Sequence, residues 1–281
     1  MMQTKTGRVL LLATILSLGV NVVQAGNVQL PSDLVAVQGS GIDATTGLPL
    51  EVQTIKTGIL LRFVPAGSFT MGSADGDKDE LPVRTVNTPA FYLAKHPINN
   101  LQYEEMIEKT QGADAKELRK ARRGAYTRRD LSPVTRISWG AANSYIGWVA
   151  GEEGAGAGLY TMPTEAIWEK AAQGGLDHVR YPWGDVLSDA IKKLHSSVSS
   201  LDVSAGVPNN WGLYHMTSNI FCWCADWYDQ SNKTKSVRGG TWYIYNKSFR
   251  CSDRWNYFPN TGSRYIGIRI GRYLSDVIPA S

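Results

Sequence analysis

The stretch Arg238-Gly239-Gly240-Thr241-Trp242 places a Gly-Gly turn one residue before a large aromatic residue. Upstream, Met162-Pro163-Thr164-Glu165-Ala166 opens a predicted helix, because Thr164 is a favourable cap and the apolar residues after it have helical spacing. Downstream, Gly267-Ile268-Arg269 lies close to the end of the chain. Each piece is short and would be weak evidence alone, so the information lies in their order and spacing.

Other short motifs fill the intervals between these three. In this order and spacing, over roughly residues 59–270, the set resembles the formylglycine-generating enzyme (sulfatase-modifying factor) family. The additional motifs are Phe69-Thr70-Met71-Gly72, Pro133-Val134 through Ser138-Trp139, Trp168-Glu169, Tyr181-Pro182-Trp183-Gly184, and Gly212-Leu213-Tyr214 with Met216, Asn219 and Trp223.

The resemblance implies an α+β protein with an irregular, C-type-lectin-like fold and little regular secondary structure for its size. The family is functionally diverse. It includes sulfatase-modifying enzymes, ergothioneine-biosynthesis and pyoverdine-maturation branches, gliding-motility proteins, and the variable proteins of diversity-generating retroelements. The fold therefore does not determine the function, which has to be argued from the site.

The composition excludes several classes of protein. With 43% hydrophobic and 19% charged residues, the 281-residue chain can bury a core and is not disordered. The net charge of +4 is too small to indicate a nucleic-acid partner. Three cysteines cannot form a disulfide-dense scaffold.

The N-terminus has the order of a secretory signal peptide. Lys5 and Arg8 precede an apolar run over residues 9–20, which is too short to cross a bilayer, and small or apolar residues lead to a cleavage site after Ala25. The alternative is a buried N-terminal helix. No other stretch is long and apolar enough for a membrane span, so we expect a periplasmic or secreted protein.

We divide the chain into four parts. Residues 1–25 are the signal peptide, 26–57 an extended N-terminal segment without helical periodicity, 58–273 the formylglycine-generating-enzyme-like domain, and 274–281 a tail.

Local patterns within the domain predict several elements. Residues 59–71 alternate around a Pro-Ala-Gly turn and indicate two strands. Residues 99–109, with Asn99 as a cap, and residues 139–150 have helical spacing.

The residues that the resemblance would make catalytic are absent. Formylglycine-generating enzymes carry two active-site cysteines after the Gly-Gly segment, and these thiolates bind copper. Here the corresponding positions hold Ile244 and a residue near Phe249, whereas Cys251 matches a family cysteine that is usually structural. We therefore expect no copper site, and a chain that leans away from catalysis.

The calcium-binding positions of the family are altered as well. The family usually has Asp or Asn after Gly-Leu-Tyr and Glu before the following Trp, and these side chains supply hard oxygen ligands. This chain has His215 and Cys222 there, so we expect no calcium and no other cofactor. A zinc or copper site on the same two residues is an alternative, although the sequence offers no clear third ligand for it.

The three cysteines have different expected states. Cys222 and Cys224 flank Trp223, so on an extended segment the two thiols share one face and the indole takes the other. Cys224 and Cys251 lie where family members often carry cysteine. The resemblance therefore implies a disulfide between Cys224 and Cys251, with Cys222 free and buried.

Residues 241–265 have the composition of a recognition surface. Aromatic residues alternate there with Asn, Ser and Thr, which combine large rigid contact areas with adaptable hydrogen bonding. Burial in the core is the alternative, above all for Trp242 and Trp255. The predicted ligand-binding residues are Tyr243, Tyr245, Asn246, Trp255, Asn256, Tyr257, Phe258, Asn260 and Tyr265.

Two hypotheses follow from this segment. In the retroelement variable proteins of the family, the same segment is the diversified ligand-binding surface, so the first hypothesis is a non-catalytic protein that binds a protein or surface ligand. The second is an extracytoplasmic maturation enzyme, an oxidase or modifying enzyme that resembles the pyoverdine-maturation or sulfatase-modifying branch but lacks the paired copper cysteines.

Overall fold

The computed structural model describes residues 29–111, 130–156, 158–194, 200–217, 219–243 and 249–274. The predicted signal peptide, Tyr245, Asn246 and the tail after residue 274 lie outside these ranges.

Short strands make up most of the regular structure. In chain order they are β1 Leu34–Ala36, β2 Glu51–Thr54, β3 Leu60–Val64, β4 Gly67–Met71, β5 Arg84–Thr88, β6 Phe91–Ala94, β7 Tyr160–Thr161, β8 Phe221–Trp227, β9 Lys235–Arg238, β10 Trp255–Tyr257, β11 Ile266–Gly267 and β12 Gly271–Tyr273.

These strands form three sheets. A six-stranded sheet has the order β1-β2-β3-β6-β12-β7, a four-stranded sheet has the order β10-β9-β8-β11, and β4 and β5 form a hairpin. The strand pairs are antiparallel except for β8 with β11, which run parallel. The two strands predicted over residues 59–71 exist as β3 and β4, but each joins a different sheet.

Four α-helices accompany the sheets in the described part of the chain: α1 Asn100–Gln111, α2 Trp139–Glu153, α3 Glu165–Gln173 and α4 Asp189–Leu194. A short 3₁₀ helix covers Lys78–Glu80.

Side-chain caps explain where the helices begin. The Thr164 hydroxyl accepts a hydrogen bond from the backbone N–H of Ile167, and Ser138 caps α2 in the same way. The Asn99 side chain accepts from the N–H of Gln102 at 2.9 Å, which confirms the predicted start of α1. Both α2 and α3 end at glycines with positive φ, Gly154 and Gly174, as left-handed helix termini require.

The four-stranded sheet separates two cores. One core contains Phe221, Trp223 and Val237 together with the apolar side of α2. The other contains the three cysteines together with the apolar side of α3. This confirms the predicted orientation of Cys222 and Cys224, because their thiols enter the α3 core while the Trp223 indole enters the α2 core.

Within the predicted N-terminal segment, residues 29–57 contain strands β1 and β2. Strands β1 and β2 lengthen the six-stranded sheet, and Asp33 forms a buried ion pair with Arg272 of β12 at 2.7 Å. The strands are too short to give a clear alternation pattern; β1 takes its register from β2, and β2 takes its register from β3, which follows it after a short turn. The observed architecture confirms the predicted α+β fold class. None of the helices in the described ranges has the length and apolar composition needed to cross a bilayer.

Candidate functional site

The four-stranded sheet has one face toward α2 and one toward α3. Because side chains alternate along each strand, Trp255 and Tyr257 of β10 share a face with their partners Val237 and Lys235. On the opposite face, Arg238 pairs in register with Cys222 of β8. The two faces therefore carry different chemistry and are described separately.

Strand β10 is an edge strand, and its aromatic side chains lie partly against the α2 core and partly in solvent. The Trp255 ring packs 5.7 Å from that of Phe221, and the Tyr257 ring lies 6.3 Å from that of Trp223. Yet Trp255 is 41% exposed, Tyr257 38%, and the next residue, Phe258, 63%. Each side chain thus rests on the core with one side and presents the other to solvent.

A second aromatic group lies beside β11. The Tyr243 and Tyr265 rings stack 5.3 Å apart, with Trp242 in contact with both, and the Arg264 guanidinium lies over both tyrosines. The backbone N–H of Phe221 donates to the carbonyl of Tyr265, so Phe221 connects the two groups. We call this set the aromatic surface; its members are Trp242, Tyr243, Trp255, Tyr257, Phe258 and Tyr265.

The sequence-predicted aromatic residues thus form two groups, one along β10 and one beside β11, at opposite edges of the four-stranded sheet. Asn260 is exposed in the turn that follows Phe258. Asn256 is exposed too, but it pairs with Ser236 and interacts with Tyr228, so it lies on the α3 side of β10 and not with its two neighbours. Because successive side chains of a strand point to opposite faces, Asn256 points away from the face that Trp255 and Tyr257 share. Trp242, for which the sequence left burial in the core as an alternative, is half-buried and packs against Tyr243 and Tyr265.

The α3 face is held by a buried network of ions. Arg238 is fully buried, donates to Glu169, and lies 3.4 Å from Glu165. Arg254 reaches the same Glu165 at 2.6 Å. Burial disfavours the charged forms of Glu165 and Arg238. The arginines nevertheless hold the pKa of Glu165 below its usual value, and the carboxylates raise the pKa of Arg238. We call these four residues the α3 network.

A third arginine connects the 3₁₀ helix to the turn before β10. Arg250 donates to Glu80, to Asp77 at 3.1 Å and to Asp253 at 3.3 Å. The three carboxylates come close enough together to hold a cation, and the guanidinium supplies that charge. The carboxylate of Asp253 also accepts from the indole N–H of Trp255 at 2.8 Å.

A cavity of about 210 Å³ opens between the α3 network and the β4–β5 hairpin. Its lining includes Asp79, Glu165, Asp226 and Arg254, with Trp227 at the rim. Burial raises the pKa of Asp226, and the nearby Glu165 raises it further. The lining carboxylates are already engaged: Asp226 accepts from the backbone N–H of Glu165, and Asp79 accepts from the Tyr228 hydroxyl. The cavity is thus part of the scaffold's ionic interior.

The three thiols are free and buried, so the structure does not contain the predicted bond between Cys224 and Cys251. Both side chains lie in the α3 core, where packing alone accounts for their burial. Burial raises the pKa of Cys222 to about 12 and those of Cys224 and Cys251 well above the usual value. Protonated, enclosed thiols are poor nucleophiles and poor metal ligands.

His215 and Cys222, the two positions that the resemblance assigns to calcium ligands, are both buried. His215 is buried, with its Nε2 atom 3.3 Å from the carbonyl of Asp202. Cys222 contacts Arg269, whose guanidinium donates to the carbonyls of Ala94 and Tyr214. Arg269 has no carboxylate at ion-pair distance among the described residues, and burial lowers its pKa to about 10. Phe249, near the second copper position, is only 2% exposed.

Comparison with known proteins places this geometry on a familiar scaffold. The family described as the Sulfatase-modifying factor enzyme 1-like domain matches residues 53–274. The chain is 30% identical over 222 residues to the formylglycine-generating enzyme of Thermomonospora curvata, an alignment that covers 59% of this chain and 70% of that enzyme.

The chain is also 29% identical over 240 residues to the serine/threonine-protein kinase Pkn1 of Chlamydia trachomatis. That alignment covers 75% of this chain but only 38% of the kinase, so the chain spans less than two fifths of that relative.

Two solved structures share the fold. PvdO from Pseudomonas aeruginosa superposes with a TM-score of 0.68 at 21% identity, covering 80% of this chain and 98% of PvdO. Treponema denticola variable protein 1 superposes with a TM-score of 0.60 at 17% identity, covering 76% of this chain and 95% of that protein. At these identities the likeness establishes the fold alone.

Proposed function

Since the chain belongs to the Sulfatase-modifying factor enzyme 1-like family, we propose that it is an exported, non-catalytic ligand-binding protein on that scaffold, with the aromatic surface as its recognition site. Export rests on the order of charged, apolar and small residues before position 26.

One observation carries the proposal. All three residues of the edge strand β10 are exposed, and the large apolar Phe258 follows them, although the neighbouring strands β8 and β9 are mostly buried. Contiguous exposed aromatic residues are uncommon on soluble proteins outside interaction sites. Tyr and Trp also lose little conformational entropy on binding, which suits them to recognition.

The state of the cysteines supports the absence of catalysis. Copper would require thiolates, and the three thiols in the chain are buried with raised pKa values. We expect the purified protein to carry no stoichiometric copper or calcium. Elemental analysis that found about one tightly held copper per chain would contradict this expectation and favour the maturation enzyme.

The likeness to a Treponema variable protein is compatible with a binding role. The likeness to PvdO is equally compatible with a maturation enzyme. The genome neighbourhood separates the two functions: a reverse transcriptase with a near-repeat of the coding end would support diversified binding, and a siderophore or sulfatase cluster would support maturation.

A pair of matched libraries tests the proposal. The first randomises the exposed positions Tyr243, Tyr257, Phe258 and Asn260; the second randomises the same number of buried positions on the same sheet, Phe221, Trp223, Val237 and Ile266. Displayed clones are sorted for resistance to protease. We expect most clones of the first library to fold and most of the second to fail, because core positions tolerate few side chains. Equal failure of both libraries would show that the aromatic surface is part of the core.

A further inference from the structure

The indole of Trp255 is fixed by a hydrogen bond to a buried carboxylate. Its Nε1–H donates to the Oδ2 atom of Asp253 at 2.8 Å, while 41% of the Trp255 surface remains exposed. Asp253 itself is only 4% exposed. The hydrogen bond therefore joins an exposed recognition residue to the interior of the protein.

The Asp253 carboxylate is itself held in place. Its Oδ1 atom accepts from Arg250 at 3.3 Å, and its backbone carbonyl accepts from Arg238 of β9 at 2.6 Å. Arg250 is anchored in turn by Glu80 and Asp77 at the 3₁₀ helix. Side chains from three separate parts of the chain thus determine where the carboxylate lies.

From this geometry we propose that Asp253 is a positioning residue of the aromatic surface, which holds the Trp255 indole in its binding orientation and makes recognition depend on pH. The inference rests on the proposed function, since Trp255 must take part in binding for its orientation to matter. Fixing a contact residue before the ligand arrives removes the entropic cost of ordering it on binding.

The titration of Asp253 sets the direction of the pH dependence. Burial raises the pKa of Asp253 to about 7, against the lowering effects of the Trp255 hydrogen bond and Arg250. The other charged groups that face it are Glu80, which raises its pKa, and Arg238, which lowers it. Asp77 reaches Asp253 through the shared Arg250.

Above about pH 7 the ionised carboxylate accepts a strong, charge-assisted hydrogen bond from the indole. Below that pH the carboxyl carries a proton and accepts the indole N–H more weakly. The orientation of Trp255 should therefore be tight at about pH 8 and loose at about pH 5.5, and binding through Trp255 should weaken in the same range.

Nuclear magnetic resonance tests the coupling without any ligand. The protein is labelled with ¹⁵N-tryptophan, and the Trp255 indole resonance is identified by its loss in Trp255→Phe. We expect this resonance to move with a midpoint near pH 7, and to stop moving in Asp253→Asn. A Trp255 resonance that is constant between about pH 5.5 and about pH 8 in the wild-type chain would overturn the proposal, whether or not Asp253→Asn folds.

Binding is tested with defined probes. Twelve-residue phage-displayed peptides are selected on the wild-type protein at about pH 8, and those that lack Asp, Glu and His and lose binding on Trp255→Ala are kept. We expect their affinity to fall about tenfold at about pH 5.5, and Asp253→Asn to bind weakly at both values.

The two proposals fail in different ways. Peptides that need Trp255 but bind equally at both pH values would overturn the positioning role and leave the recognition surface standing. If no selected peptide depends on Trp255, the recognition surface loses its support, and the resonance experiment still decides whether Asp253 fixes the indole.

Discussion

On one face of the four-stranded sheet, Arg238 meets the carboxylates of α3 with no access to water; on the other, Trp255 and Tyr257 rest on a core and open to solvent. The α3 face is specified by charges that need each other, because removal of one partner leaves the other buried and unpaired. On the exposed part of the α2 face, Trp255 is linked to buried charges through Asp253, whereas Tyr257 rests on the Trp223 ring. The same sheet thus combines a side that resists substitution with an edge that can accept it.

The largest loss of stability is expected from a substitution that breaks the α3 network. Glu169→Ala leaves the fully buried Arg238 without its principal partner, so we expect the free energy of unfolding to fall by about 3–5 kcal/mol. Urea denaturation of the variant measures this loss. Asp177→Ala, at an exposed acidic residue, is the matched control and should change the unfolding free energy by less than about 0.5 kcal/mol. Similar values for the two variants would show that the buried network is not what holds this face.

The next effect tests the connection between the two faces. The raised pKa of Asp253 means that the folded state binds a proton between about pH 4 and about pH 7 that the unfolded chain releases. The stability that this proton contributes is present at low pH and is lost as the pH rises through about 7. Relative to Asp253→Asn, the wild-type chain should therefore lose about 2 kcal/mol of unfolding free energy between about pH 5 and about pH 8. Parallel stability curves for the two proteins would contradict this pKa.

A smaller effect is expected on the aromatic surface. Tyr243→Ala and Tyr257→Ala remove side chains that are 61% and 38% exposed, so each should lower the unfolding free energy by about 1 kcal/mol or less. Thermal denaturation should give midpoints within a few degrees of the wild type. Phe221→Ala, on the same face but buried, is the comparison and should cost about 3–5 kcal/mol. A loss at Tyr257 as large as that at Phe221 would move this residue into the core.

Thiol reactivity gives a further test of the α3 face that does not depend on a change in stability. All three lie in the α3 core, so a thiol reagent should label none of them in the folded protein. After denaturation without reductant, three thiols per chain should react. A single reactive thiol would instead establish the disulfide between Cys224 and Cys251 that the family resemblance implies.

Sequence reasoning succeeded where the determinants are local. Thr164 and Asn99 mark helix starts because their side chains cap the next turn, and the alternation around Trp223 separates its ring from the flanking thiols. The composition of residues 241–265 indicated an exposed aromatic set, and the members of the aromatic surface are half-buried or exposed along the two edges of the four-stranded sheet.

What sequence reasoning missed depends on distant partners. Glu169 and Arg238 are 69 residues apart, and Arg250 and Glu80 are 170 apart, so no local pattern pairs them. Strand β1 forms by pairing with the edge of β2, and the residues of β1 alone do not indicate this pairing. Asn256 was grouped with Trp255 and Tyr257 by composition, whereas the pleat of β10 turns it to the other face.

Site-specific photo-crosslinking in the source organism tests the central claim most directly. A benzophenone amino acid replaces Tyr257 on the aromatic surface or, as the control, Val186, an apolar residue that is 81% exposed elsewhere. We propose the aromatic surface as the recognition site, so irradiation should give a discrete adduct from position 257 and none from position 186. The same adduct from both positions, or an adduct from position 186 alone, would contradict the assignment of ligand recognition to this surface.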